Sequence, residues 1–390
     1  MLGRAAGSRV VVGVVAFALF MDYLIYGLLI PLAPYSPARV TSEAELGLLY
    51  TGYSTGVLVA TPLFGWLGDR IGYRRLMLSG VVLSAIALAL LGAAPHLHLL
   101  LLGRLFQGAA SAAGWTAGLA LIAEHYPQQR VEMMGFALMG STAGSLLGPV
   151  IGGSLYEVGG YSLPFLVTGA LVAVDAALVF FLLPRRHARP AANANIWPLL
   201  FDRSVVVAAT AVGLAAIGWG IIEPLLPPQL VRSGVAPWAI GLIFTTGSIA
   251  YGASAPLVGW VSNRVQVRML IAAGTAAMAI SLPFLGLLRG AIAAGIGLSV
   301  VSVCYAFMLN PTSAELGDAV DRRGLGCYAA VYAIYNVAYA VGQMAASSFA
   351  SAASAHMSFF QVLLCVSAAL FVFIPLLLLR PPVPQASVQP

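Results

Sequence analysis

Three acidic residues, Asp22, Asp175 and Glu223, fall inside long apolar runs of the sequence. At the centre of a membrane-spanning helix such a group costs about 2.5–3.5 kcal/mol on insertion scales, so it normally faces a cavity or a partner. A low-dielectric surrounding favours the neutral form of a carboxyl, which can therefore hold a proton and exchange it for an arriving cation. Asp22 and Glu223 are the candidates for that chemistry. Asp175, towards the inner end of its run, reads equally as a coupling group or as a structural hydrogen-bond partner. Arg104 is a cation in the same kind of setting, followed by Gln107. Helical rise puts Arg104 at nearly the depth of Asp22, so the two can share a polar network. Tyr332, Asn336, Tyr339 and Gln343 are spaced by four, three and four residues, which is one helical face. Together with Tyr23, Tyr26 and Tyr305 they can line a cavity where an organic cation meets aromatic rings. The three cysteines have no metal-ligand spacing, no histidine sits in the middle of an apolar run, and no nucleophile–base constellation occurs. An enzyme, a metal centre and a cofactor are therefore not expected; the proton is the expected coupling ion.

The elements that must position these residues follow from composition. Of 390 residues 60% are apolar and 8% charged, against about 25% charged in soluble domains. A water-soluble fold is excluded. Apolar runs bounded by Gly, Pro or Arg lie near 10–34, 46–68, 76–94, 98–123, 132–156 and 161–184, and again near 204–230, 238–262, 269–288, 290–314, 325–350 and 357–380. The expected fold is an all-α membrane protein of twelve transmembrane helices in two six-helix bundles, 1–184 and 204–380, with a cytoplasmic linker at 185–203 and a disordered tail at 381–390. All 19 basic residues are Arg; 15 fall on the face that contains both termini, three on the other, and Arg104 lies within a span. That asymmetry places both termini in the cytoplasm. The net charge of +6 thus reflects topology, and no continuous basic face for nucleic acid survives the apolar runs. The first run is too long for a cleavable signal, and the absence of Lys points to a bacterial source, hence a bacterial cytoplasmic membrane.

An internal repeat supports the division. Gly65-Trp66-Leu67-Gly68-Asp69-Arg70-Ile71-Gly72-Tyr73-Arg74 recurs 194 residues later as Gly259-Trp260-Val261-Ser262-Asn263-Arg264-Val265-Gln266-Val267-Arg268, keeping Gly, Trp and both Arg in step. Pro31-Leu32-Ala33-Pro34 is echoed by Pro224-Leu225-Leu226-Pro227. Duplicated halves imply a site at their interface. The segment from Gly65 to Arg75 resembles the loop motif G-x-L-x-D-R-x-G-x-R-R of the major facilitator superfamily. The resemblance implies a cytoplasmic gate at Gly65, Asp69, Arg70, Gly72 and Arg74, and Asn263 in the second copy implies a weaker one. Gly144 and Gly148-Pro149-Val150-Ile151-Gly152-Gly153 resemble the G-P-x-x-G-G motif of the antiporters of that superfamily, and Arg104-Leu105-Phe106-Gln107-Gly108 resembles its R-x-x-Q-G motif.

Across residues 10–380 the chain is similar to the drug:proton antiporter branch and, within it, to the vesicular amine transporters. That resemblance implies alternating-access export of a hydrophobic cationic or amine compound in exchange for protons, with Asp22 and Glu223 meeting amine or proton in a central cavity. It also exposes departures. Where those transporters carry a carboxylate in the eleventh helix this chain has Asn336, and Tyr53 stands where they have Lys in the second. In the tenth helix, where they have a carboxylate, this chain offers Leu309 and Asn310. The competing substrate class is a zwitterionic or anionic metabolite or metallophore with Arg104 as its counterion; a non-transporting sensor on the same fold is a further alternative. Expected partners are a small-molecule substrate, protons and the lipid bilayer, with the protein a monomer.

Overall fold

The computed structural model of the 390-residue chain describes residues 2–38, 40, 42–126, 130–184, 201–262, 264–323 and 328–378, excepting the side chains of 2–9, 69, 123, 130–132, 313–314, 317–323 and 328–333. Among the described residues every regular element is helical. Six helices form the first half: α1 (Leu2–Leu32), α2 (Glu43–Ile71), α3 (Tyr73–Ala93), α4 (Leu97–His125), α5 (Arg130–Gly159) and α6 (Ser162–Leu182). The second half holds α7 (Arg203–Gly220), α8 (Ile222–Arg232), α9 (Pro237–Ser262), α10 (Val267–Leu285), α11 (Ala291–Arg323), α12 (Tyr328–Ala353) and α13 (Phe359–Leu378). α7 and α8 are two segments of one span, interrupted at Ile221, so the helices make the twelve crossings expected from the apolar runs. Helix is the form that satisfies every backbone group internally in hydrocarbon.

Local signals set the boundaries. Ser42 and Glu45 form a reciprocal capping box that starts α2. The Asp202 side chain accepts from the backbone N–H of Ser204 at 2.8 Å, so Arg203, expected as the end of the linker, is the first residue of α7. Between α2 and α3 the chain turns on Gly72 alone, at φ 88°, a conformation that a side chain would strain. Residues 185–200 of the linker expected at 185–203, and the tail expected at 381–390, lie outside the described residues.

Each half encloses its own apolar core, one around Val15, Leu28, Leu49, Leu76 and Phe165, the other around Val212, Ile222, Phe244, Met278 and Leu363. The seam between them is built mainly from α2 on α12 and α5 on α9. These are the same contact made twice, because α9 repeats α2 and α12 repeats α5. A Cβ at Gly47 would come within 2.6 Å of Ser347 O, and one at Gly241, 194 residues on, within 2.2 Å of Pro149 O. Thr51 then meets Ser348 at 3.2 Å, and its counterpart Thr245 donates to Leu146 O at 2.8 Å.

Ten of the twelve spans are long and apolar enough to cross a membrane by length and composition. α2 and α12 fall short of that measure. Among their polar residues Ser54, Gln343 and Ser347 are buried.

The seam does not run the full height. Along α2 the stripe Gly47, Thr51, Thr55 touches α12, with Thr55 3.6 Å from Met344 Sδ, but Val59 on the same stripe is 64% exposed. Along α5 the stripe Gly153, Pro149, Leu146 touches α9, and Met139 is 65% exposed. The halves therefore meet at the end bearing Glu43 and splay apart at the end bearing Trp66 and Trp260.

Candidate functional site

Where the halves part, a cavity of about 170 Å³ lies on the seam. α1 and α2 contribute Tyr23, Tyr26 and Tyr53, α4 contributes Ser111 and Trp115, and the second half contributes Trp219, Glu223, Asn336, Tyr339 and Gln343. The spacing of the α12 residues thus does place them on one face, towards the cavity; the side chain of Tyr332 lies outside the described residues.

Glu223 is placed by the break between α7 and α8. Pro224 follows in the first turn of α8, where a missing N–H costs no helix hydrogen bond, and the carboxyl sits near the positive end of the helix dipole. It is 2% exposed and fully satisfied by neutral donors. Tyr26 donates to Oε2 from α1, Gln343 Nε2 donates to Oε2 at 2.6 Å from α12, and Trp219 Nε1 donates to Oε1 at 2.9 Å from α7. Gln343 Nε2 also lies 2.8 Å from the Tyr26 hydroxyl. Gly220 makes room for this, since a Cβ there would lie 2.8 Å from Gln343 Oε1. The carboxyl therefore ties the two halves together.

Asp22 sits behind the lining. Its Oδ2 accepts from Ser111 at 2.7 Å and from Trp115 Nε1 at 3.1 Å, and Tyr53 donates to Ser111 at 3.1 Å. All these partners belong to the first half. Arg104, Gln107, Ser111 and Trp115 are spaced by three, four and four along α4, so the face announced by Arg104 also carries the two donors that hold Asp22. Sequence reasoning missed Ser111, Trp115 and Trp219, although that spacing was legible.

Arg104 does not snorkel to the surface: it is 0% exposed. It does not bond Asp22 directly. Its guanidinium lies 4.7 Å from the ring centre of Tyr50, 5.2 Å from that of Tyr26 and 5.5 Å from that of Tyr53, and it donates to Gln107 Oε1 at 2.7 Å. Such a tyrosine box stabilises a desolvated cation through the ring quadrupoles. Arg104 Nε and a second terminal nitrogen have no hydrogen-bond partner. The shared network is therefore real but indirect. Tyr53 links the guanidinium through Ser111 to Asp22, and Tyr26 links it to Glu223. Arg104 and Gln107 stand behind the cavity wall rather than in it.

Tyr305 is a second correction, since it backs the wall without lining it. It stacks on Trp219 with ring centres 5.3 Å apart, and its hydroxyl lies 3.2 Å from that of Tyr339. Asp175 is 4% exposed on α6, away from the cavity lining, and its Oδ1 has no hydrogen-bond partner.

The glycines of α5 act as close-packing positions. A Cβ at Gly140, Gly144, Gly148 or Gly152 would press on the backbone oxygen of Ala16, Phe20, Leu24 or Leu28 in turn, so α5 lies backbone to backbone on α1. Gly153 does the same against Pro237 of α9, while Pro149 packs on both Gly27 and Gly241. In the loop repeat, Gly65 has open space around it. Arg70 stacks on Trp66 at 3.9 Å and Arg264 on Trp260 at 3.6 Å, so the repeat is preserved in three dimensions. Arg74 donates to Phe180 O in its own half. Its counterpart Arg268 pairs with Glu315 at 3.0 Å, so the second copy has its own ion pair despite Asn263. The side chain of Asp69 lies outside the described residues, as does Asn263.

The profile of the Major Facilitator Superfamily matches the chain twice, over residues 15–209 and 208–390. The chain is similar to the synaptic vesicular amine transporter of Rattus norvegicus, 30% identical over 325 residues, covering 80% of this chain and 62% of that one. It is also similar to the chromaffin granule amine transporter of the same species, 32% identical over 308 residues, covering 77% and 58%. These alignments span less than two thirds of either relative. Among solved structures, the nucleoside transporter NupG shares the fold with a TM-score of 0.74 at 12% identity, over 94% of this chain and 98% of that one.

Proposed function

The chain belongs to the major facilitator superfamily, an integral membrane family, and from that premise we propose that it is a proton-coupled antiporter exporting a small, hydrophobic amine cation by alternating access. The observation that carries this reading is a pair of carboxyls at one cavity, Glu223 buried in its wall and Asp22 half-buried just behind it, each held by neutral donors only. A carboxyl without a fixed counter-charge in direct contact is free to take either a proton or an ammonium group, and binding one displaces the other. Aromatic walls from Tyr23, Trp115, Trp219 and Tyr339 suit an organic cation. The cavity volume of about 170 Å³ falls below the ~300–1,000 Å³ usual for drug-sized ligands, which favours a single-ring amine over bulky drugs. The names of the two relatives point to the same substrate class.

With the termini in the cytoplasm of a bacterial cell, the splayed end is the cytoplasmic one, and the state described is open inward. Cytoplasmic amine would displace protons from the carboxyls, the halves would rock about the seam, and external protons would displace the amine. The anionic-substrate reading has less support, because Arg104 lies behind Tyr26 and Tyr53 rather than in the lining.

The test is collapse of an imposed pH gradient in proteoliposomes by a panel of aromatic amines with anionic controls, against protein-free liposomes, for the wild type and Asp22→Asn. Amine-dependent collapse that disappears in the variant is expected. Collapse by the anions alone, or an amine response unchanged in Asp22→Asn, overturns the reading.

A further inference from the structure

Among the described residues the charges around the cavity form a closed set. Asp22 and Glu223 are its two carboxyls, and Arg104 is its one cation. Asp22 is faced by Tyr53, Ser111 and Trp115, and Glu223 by Tyr26, Trp219 and Gln343, all neutral. α5 and α9 bring Ser145, Phe244 and Ser248 to the cavity, and α12 adds Asn336 and Tyr339. Among the described residues the remaining charges on these elements lie elsewhere. Glu43 pairs with Arg232 where the seam is closed, Glu315 pairs with Arg268 against Ser204 at the start of α7, and Asp175 is buried in α6. The set is also physically joined, because the guanidinium touches the rings of Tyr26 and Tyr53 whose hydroxyls lead to the two carboxyls.

With both carboxyls ionised the set carries two negative charges and one positive, a net of minus one. While the halves rock, the cavity is cut off from water, and an uncompensated charge there is heavily penalised. One proton brings the set to zero. One monovalent cation also brings it to zero. Two protons would leave the guanidinium uncompensated, since arginine keeps its charge even when buried.

We infer that Arg104 is the fixed counter-charge that sets the exchange at one proton for one monovalent organic cation, so that the cycle moves no net charge. This rests on the antiport reading and deepens it. Arg104 acts here as a positioning charge and does not need to touch the substrate.

The experiment uses acid-inside proteoliposomes of the full chain and phenyltrimethylammonium, a fixed single-ring aromatic cation that cannot cross the bilayer as a neutral base. A potassium gradient with valinomycin sets the membrane potential independently of pH. One-for-one exchange gives a steady-state accumulation of about ten-fold for each pH unit, unchanged by the potential. Two protons per cation would give about a hundred-fold for each pH unit and a further change of about fifty-fold for each 100 mV; that outcome overturns the inference while leaving antiport intact, and it directs attention to Asp175 as the second proton carrier. Absence of any proton-driven uptake overturns the antiport reading itself, and the inference with it. Arg104→Lys keeps the charge and should remain insensitive to potential; a potential-sensitive Arg104→Lys counts against the assignment even if its rate is low.

Discussion

Asp22 and Glu223 are both carboxyls at one cavity, yet they are held in different ways. Both donors to Asp22 come from α4, inside the first half, whereas the donors to Glu223 come from α1 on one side of the seam and from α7 and α12 on the other. A change of charge at Asp22 therefore alters bonds within one rigid body. A change at Glu223 alters a bond that fastens two bodies together, the kind of local event that interfaces amplify into rigid-body rotation. Under the proposed antiport, the half-buried Asp22 would store charge while the buried Glu223 would report it to the seam.

The largest expected effects come from removing the titratable groups. Asp22→Asn and Glu223→Gln should each abolish proton-driven uptake in proteoliposomes, but only Glu223→Gln should move the seam. A cysteine replacing Val59, in a chain whose native cysteines are Ser, reads this out by its alkylation rate. Losing a hydrogen bond to a charged group is worth about 1.5–3 kcal/mol, so the rate should change roughly ten-fold or more in Glu223→Gln and stay level in Asp22→Asn. Equal changes in the two would erase the distinction.

Tyr26→Phe keeps a ring over Arg104 while deleting the hydroxyl that crosses the seam. It should shift the same alkylation rate by about ten-fold, the lower end of that range, with uptake slowed but not lost. Trp115→Phe removes the longer of the two hydrogen bonds to Asp22, a loss of about 1.5 kcal/mol. It should slow exchange by about ten-fold and leave the alkylation rate unchanged, sharpening the contrast from the other side. The smallest effect belongs to Arg232→Ala. Its pair with Glu43 joins the halves at the closed end, but the Arg232 side chain is 59% exposed, and such pairs contribute about 0–1 kcal/mol. Labelling of a cysteine replacing Ser351 should rise no more than about five-fold.

Duplication illuminates where the sequence was readable. The two halves agree at the seam, where Gly47 and Thr51 reappear as Gly241 and Thr245, and at the splayed rim, where Trp66 and Arg70 reappear as Trp260 and Arg264. They disagree at the chemistry: 194 residues after Asp22 stands Ala216, and 194 before Glu223 stands Leu29. Packing positions recur because both halves must solve the same contact. The binding residues are single because one cavity serves both halves. The loop repeat was visible directly, whereas the Gly–Thr pair became meaningful only once α2 and α9 were seen to make equivalent contacts.

Sequence alone determined the twelve helices and singled out Asp22 and Glu223, because hydrocarbon enforces long apolar helices and makes every ionisable residue within them conspicuous. It also determined the α5 glycine stripe, since residues four apart share a helix face. Partnership was decided only by the tertiary structure. Depth arithmetic could set Arg104 level with Asp22, but which side chains stand between them depends on the azimuth of three helices. The fold put Tyr53 and Ser111 there, and turned Tyr26 and Gln343 onto Glu223. Hydrophobicity fixes where a helix lies in the bilayer, but packing between helices fixes which way each face turns, and pairs far apart in sequence follow from that rotation.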